Sequence, residues 1–328
     1  MTTSNLLVLR SDRLLAVIDA GHGAEILELL DAERGRAVLG HPGFSPIDAV
    51  PGDLDEETWI RSYRGGWQMI APNAGNACTV DGDRHGFQGS SSTEGWRVVE
   101  AGPSAATFAW SGHGLAFVRH VEVVEDRVEA AVKVEALLER TPTVIVEHVG
   151  FGVALLDPEV SLELGTGRTF EFSEQTGPPL PPEDACQWPV ARMLDGSERR
   201  CDRWSADSLD FCLISVADLS EGRAVLRNIE RGVGVELTWD LDLLPHLWIW
   251  HEERATASLF RQATEMLALE PASVPHSLGL AEAIAHDQAH VIEPGEPRSY
   301  RVTLRVLRKA DIESVSRARW ASAGVRDR

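Results

Sequence analysis

The chain has 328 residues, of which 43% are hydrophobic and 25% charged, the balance of a globular protein with enough apolar material for a sizeable core. Its formal net charge of −20 at pH 7 repels phosphate backbones and anionic lipid, which argues against nucleic acid or a membrane as partner and for a neutral small molecule. No apolar run approaches the roughly 18 residues of a membrane span. The opening MTTSNLLVLRSDR has only a short apolar run before its charges, unlike a secretory leader, so a cytoplasmic location is expected. Cys78, Cys186, Cys201 and Cys212 form no C-x-x-C pair and are expected to be reduced thiols packed as small hydrophobes.

The apolar period along the chain is two rather than 3.6. Leu14 to Ala20 alternates as a strand, and Ala24 to Leu30, the DAERGR turn and Ala37 to Leu39 read as a hairpin. Gly21-His22-Gly23 follows a strand as a dinucleotide fingerprint would, but position 26 is Ile26 and a strand pattern follows, so a tight turn is expected there. Trp96 to Glu100, Ala106 to Trp110 and Ala116 to Val124 continue the alternation, and Glu125-Asp126-Arg127 joins the last of these to a further strand. Val144 to Val149, Val233 to Trp239, Leu247 to Trp250, Thr264 to Leu269 and Ser299 to Leu307 complete the strands. Helices are expected only at Ser277 to Ala285 and in the tail, Ala310 to Ala323. Residues 173–205, with the proline-rich GPPLPPEDACQWP, read as an irregular surface excursion. Many short strands between turn signals predict an all-β sandwich or barrel, a single domain over 1–328 with a C-terminal tail at about 309–328.

Four segments set polar, titratable residues beside tight turns in an apolar frame: Tyr63-Arg64-Gly65-Gly66-Trp67, Arg84-His85-Gly86-Phe87, Glu147-His148-Val149-Gly150-Phe151 and Ala268-Leu269-Glu270-Pro271. Glu270 ends an apolar strand and precedes a proline, and a carboxylate there needs a partner or a purpose. A carboxylate can take a proton from a hydroxyl, and an imidazole can give one near neutral pH. Arginine offers a rigid fork of donors to hydroxyls. The chain holds ten tryptophans; Trp67, Trp248 and Trp250 lie nearest these segments, where they either stack on a sugar ring or pack in the core.

The same segments resemble the galactose mutarotase-like superfamily, which includes aldose 1-epimerases and hexose-6-phosphate 1-epimerases. DAGHGAEILELLD is similar to its opening strand pair, RGGWQMIAPNAG and RHGFQGSS to its R-G-G…P…H-G-F segment, EHVGFGVALLD to the segment with its second histidine, ALEPASVPHSLG to that with its glutamate, and IEPGEPRSYRVTLRV to its closing strand. The resemblance implies a large antiparallel β-supersandwich and interconversion of the α and β anomers of an aldose, with no organic cofactor; no metal ligand is expected. It further implies Glu270 as general base, His148 as general acid, and His85 and Arg64 as sugar-binding residues, with Trp67 and Trp250 as stacking candidates. The family's sugar-binding aspartate has its nearest matches in Asp207 and Asp210, of which Asp210 fits better because Phe211 and an apolar strand follow it.

Three alternatives remain open at this point. A phosphorylated hexose would call for an arginine cluster at the rim, for which Arg61, Arg64 and Arg84 are the candidates. A non-catalytic carbohydrate-binding module would need the aromatics alone. A metal enzyme would use His85, His148 and Glu270 as ligands, without any local ligand spacing to recommend it. The chain is expected to act as a monomer or homodimer.

Overall fold

Alternating strands bury one face by pairing into sheets, and two large sheets account for most of the chain. The computed structural model describes residues 5–172, 181–205, 210–253 and 265–312. The larger sheet has 13 strands. Its order is Leu6–Arg10, Leu14–Asp19, Glu25–Asp31, Trp67–Ile70, Val146–Gly152, Glu265–Ala272, His246–Glu253, Asp210–Ala217, Arg168–Glu171, Val190–Arg192 and Glu198–Arg200, with Arg36–Ala37 and Cys186–Gln187 attached at its flanks. The second sheet has nine strands, running from Arg203–Ser205 through Glu159–Leu164, Arg223–Asn228, Val233–Trp239, Arg298–Val306, Arg127–Ala136, Leu115–Val124 and Ala105–Gly112 to Arg97–Ala101. Strand pairings in both are antiparallel apart from one parallel contact, Phe170 with Arg192. This is a β-sandwich, one of the two architectures, sandwich or barrel, that the period-two pattern predicts.

The sheets pack face to face. Ile26, Trp67, Val149, Ile249 and Leu269 of the larger sheet meet Phe117, Val132, Leu237 and Val302 of the other in one apolar cluster. The opposite face of the larger sheet is also covered. There Trp248, Trp250, Met266 and Ala268 pack beneath Trp59, Tyr63, Phe87 and Leu280. The central strand Val146–Gly152 is therefore buried on both sides along its whole length, which is why its sequence loses the clean alternation of a half-exposed strand.

The structure departs from the sequence reading in four places. Residues 56–62 form a helix, α1 (Glu56–Ser62), that the strand-dominated pattern concealed; Asp55 caps it by accepting from the Thr58 amide at 2.8 Å. A single turn, α2 (Val153–Leu156), was likewise missed. The expected helix at 277–285 begins only at Leu280 (α3, Leu280–Ala285), because Gly279 sits at φ +95°, outside helical space. The supposed excursion is not irregular where it is described: Cys186–Gln187, Val190–Arg192 and Glu198–Arg200 extend the larger sheet, and Arg203–Ser205 joins the smaller. Residues 173–180 and 313–328, with most of the expected tail helix, lie outside the described residues. No described helix is long and apolar enough to cross a membrane. The four cysteines are free thiols.

Candidate active site

Cross-strand register brings the candidate catalytic residues together. Val146 pairs with Ala272 and Val149 with Leu269, so His148 stands opposite Glu270. His148 pairs on its other side with Gln68, and Glu270 with Trp248. Ile26 pairs with Trp67, which sets Glu25 beside Gln68. One row across the sheet thus reads Glu25, Gln68, His148, Glu270, Trp248, with one residue from each of five adjacent strands. All of them face away from the second sheet, since side chains alternate strictly between faces.

Along this row the polar groups touch. His148 Nδ1 lies 3.0 Å from Glu270 Oε2, off the ideal hydrogen-bond direction, so that Nδ1 lacks a well-aligned partner. The Tyr63 hydroxyl meets His148 Nε2 at 2.8 Å. His148 thus lies between a phenol that meets its Nε2 and a carboxylate that approaches its Nδ1. Burial above all, and then the Glu270 and Glu25 carboxylates, raise the Tyr63 pKa well above its ordinary value, which keeps the phenol protonated. Trp250 packs at 5.8 Å from His148 and 6.1 Å from Tyr63 between ring centroids, and Trp59 stacks on Tyr63 at 5.3 Å. His148 and Glu270 are only 5% and 3% exposed beneath this aromatic cover.

A second polar group adjoins the row. Glu25 is fully buried and accepts from Gln68 Nε2 at 3.0 Å. It also pairs with Arg64, whose other terminal nitrogen lies 3.0 Å from Asp19 Oδ2, and His22 Nδ1 approaches it at 3.3 Å. The Arg64-Gly65-Gly66 sequence has a steric reason. A Cβ on Gly65 would meet Gly40 O at 2.2 Å, and one on Gly66 would meet Ile26 O at 2.6 Å, both at positive φ. Only glycine lets the chain turn this closely, carrying Tyr63 and Arg64 over the sheet before Trp67 enters it.

The remaining sequence candidates fall elsewhere. Trp67 is a correction. It is fully buried on the inner face, where its indole donates to Glu147 Oε2 at 2.6 Å, so it packs the sandwich and cannot stack on a ligand above the row. Trp248 belongs to the row but donates to Val274 O at 2.8 Å and is 2% exposed. His85 is not joined to His148 and Glu270 as a metal cluster would require. Among the described residues it groups with Asp83 and His113 instead, and burial, then the His113 imidazole, lower its pKa. Asp210 opens the strand Asp210–Ala217 and pairs through its backbone with Glu253; its side chain, and all of Asp207, lie outside the described residues.

Solved structures share this architecture from end to end. An aldose epimerase homologue from C. elegans has a TM-score of 0.61 at 14% identity, with 93% of this chain and 99% of that one covered. A galactose mutarotase related enzyme from Lactobacillus acidophilus gives 0.65 at 12% identity, covering 93% and 98%, and a protein from Synechocystis gives 0.66 at 17%, covering 93% and 98%. The fold is galactose mutarotase-like. No protein-family model matches the chain, and no curated protein sequence does either.

Within this fold the residues that the sequence did not disclose are Tyr63 as partner of His148, and Glu25 with Gln68. Gln68 carried a usable signal, being the one polar residue in the strand Trp67-Gln68-Met69-Ile70. Glu25 carried a weaker one: a carboxylate directly after a Gly-Ala turn, at the foot of an apolar run.

Proposed function

We propose that the chain is an aldose 1-epimerase that opens and recloses the ring of a neutral sugar, with Glu270 and His148 as its acid–base pair. The observation that carries this reading is the register-fixed contact of His148 with Glu270 on the outer face of the larger sheet. Two buried proton-transfer groups 3.0 Å apart suit a reaction that removes one proton from a hydroxyl and returns one to a ring oxygen. Glu270 takes the anomeric hydroxyl proton and His148 protonates the ring oxygen, each step contributing roughly 10²- to 10⁴-fold. After rotation about C1–C2 the transfers reverse and the other anomer closes. His148 Nε2 is the nitrogen turned toward Tyr63, so the sugar's ring oxygen takes the place of the phenol there, and the Tyr63 hydroxyl shifts to a neighbouring ligand oxygen. Gln68 Oε1, buried without a hydrogen-bond partner in the same row, would accept from a sugar hydroxyl. Trp250, packed beside His148, offers a ring face to the apolar side of the sugar, and Arg64 supplies a further polar contact.

The charge of the site favours an unphosphorylated substrate. Arg64 is held between Asp19 and Glu25. Arg61 is exposed and faces Glu57 at 3.8 Å, while Arg84 donates to the Asp53 carbonyl at 3.1 Å. Each of the three is thus taken up by acceptors of the protein itself, whereas a phosphate clamp needs its arginines to converge on the ligand.

The test is exchange NMR between the α and β anomer signals of a panel of free and phosphorylated aldoses. Acceleration by the wild-type chain, lost in Glu270→Gln while that variant still binds the sugar, supports the reading. A chain that accelerates exchange of no sugar, yet binds one, would be a carbohydrate-binding module on the same fold.

A further inference from the structure

We propose that Asp83, His85 and His113 bind a divalent transition-metal ion of the zinc type. The strand Asp83–His85 places Asp83 and His85 two apart and so on one side of its hairpin with Cys78–Val80. His113 sits at φ +50° in the turn between Ala105–Gly112 and Leu115–Val124 and faces them from the nine-stranded sheet. One donor atom from each of the three lies within 4.8 Å of the other two. The imidazoles of His85 and His113 are stacked, 4.4 Å between centroids and 30° between planes. His113 Nδ1 lies 2.7 Å from Asp83 Oδ2, and its Nε2 is 3.2 Å from Ser90 Oγ and 3.7 Å from Asp53 Oδ1.

An independent observation points to a ligand. His85 is only 5% exposed, and its Nδ1 is buried with no hydrogen-bond partner. Buried polar atoms are rarely left so, and an ion is among the few things that satisfy one. Two imidazoles and a carboxylate form an established zinc donor set, whereas calcium and magnesium prefer oxygen alone. Asp53, which also accepts from the Gly86 amide at 2.8 Å, is placed to serve as a fourth donor or to orient His113 from behind. A bound ion would clip the small hairpin to the turn between Ala105–Gly112 and Leu115–Val124 of the nine-stranded sheet. It would also make His85 an ion ligand first and a sugar contact only through that ion. The proposal stands on these residues and not on the His148–Glu270 pair.

The experiment uses the full chain, stripped with a chelator and titrated with zinc by calorimetry and with cobalt(II) by visible absorption. One ion per chain is expected, with the cobalt spectrum of a low-coordinate nitrogen and oxygen site. Asp83→Asn and His113→Asn should each weaken zinc binding by about ten-fold or more; asparagine tolerates the left-handed backbone at 113. In the unmutated chain, zinc should shift the imidazole nitrogen resonances of His85 and His113 and leave those of His148 in place, a readout that needs no variant to fold. Failure of the wild-type chain to take up zinc overturns the proposal, as does binding that both variants retain unchanged or that leaves the His85 and His113 resonances unmoved. Anomer exchange measured on the stripped chain tests the proposed reaction separately.

Discussion

Glu147 and His148 are adjacent in sequence but point to opposite faces of the larger sheet, and they should fail in opposite ways. Glu147 is fully buried between the sheets with Arg119, whose Nη2 is 3.2 Å from Glu147 Oε2 at zero exposure for both side chains. Tyr300 donates to Oε1 at 2.8 Å and Trp67 to Oε2 at 2.6 Å, and the Arg119 guanidinium lies 5.7 Å from the Trp67 ring centre. Burial raises the Glu147 pKa, while Arg119, Tyr300 and Trp67 oppose the shift. Glu147→Gln keeps the shape and one acceptor but leaves the Arg119 charge buried without a counterion, a loss of about 3–5 kcal/mol. That is a large part of the roughly 5–15 kcal/mol that holds a domain folded. Arg119→Met should cost a comparable amount, because it strands the carboxylate. The double variant removes both charges and should recover at least about 2 kcal/mol relative to the sum of the singles. Urea unfolding of the four proteins measures this coupling. Where Glu147→Gln remains folded it should still bind sugar, whereas His148→Gln should lose anomer exchange at little cost in stability. A coupling below about 0.5 kcal/mol, within the scatter of independent sites, would refute the idea that this pair anchors the sheet.

The other expectations concern single residues. Tyr63→Phe removes the hydroxyl that faces His148 Nε2 and should change the pH profile of exchange more than the affinity for sugar, measured by kcat and KM across pH. Trp67→Phe should weaken stability by about 1–3 kcal/mol through the lost donor to Glu147, with sugar binding unaltered. In Gly150→Ala the added Cβ would lie 2.7 Å from Met266 Cε and 3.2 Å from Tyr63 Oη; a loss of about 1–3 kcal/mol from overpacking and slower exchange from a displaced Tyr63 are expected. His246 has its pKa lowered to about 4, mainly by burial, with His276 and His290 adding to the shift and Asp218 opposing it. The neutral form is then the folded one. Stability from this group is complete above the unfolded pKa of about 6.5 and declines as pH falls toward about 4, by about 3 kcal/mol at most. Urea midpoints followed across that window should fall less steeply in His246→Asn.

The sandwich was legible because most strands show one face to water or to a loop, and alternation survives in them. Val233–Trp239 matches its expected bounds, and the turn at Glu125-Asp126 divides two strands where expected. Legibility failed where burial is two-sided or where an element is short. Prolines in 173–205 masked strands of only two or three residues, and α1 is two turns whose apolar residues, Trp59 and Ile60, supply no repeat. At the site, His148 and Glu270 stood out as titratable residues in apolar strands. Trp67 misled because closeness to a motif says nothing about phase. It is one residue from Gln68, and one residue is the difference between the two faces of a sheet. Tyr63 could not be foreseen as a partner of His148, because their contact joins a helix end to a strand 85 positions away.

The five-strand row also sets the terms on which substrate preference could be redesigned. Neighbouring rows repeat every second residue along each strand. Ile70, Val146 and Ala272 form the row on one side, and Gly150, Ala268 and Trp250 the row on the other. A combinatorial library confined to these positions would reshape the floor beneath a ligand while leaving the His148–Glu270 contact in place. Shifting the strand Val146–Gly152 by a single residue would instead exchange His148 for its neighbour Glu147 or Val149. Selection for new ligands should therefore accept substitutions at matching parity and reject single-residue insertions or deletions within these strands, confining changes of length to the connections above the sheet.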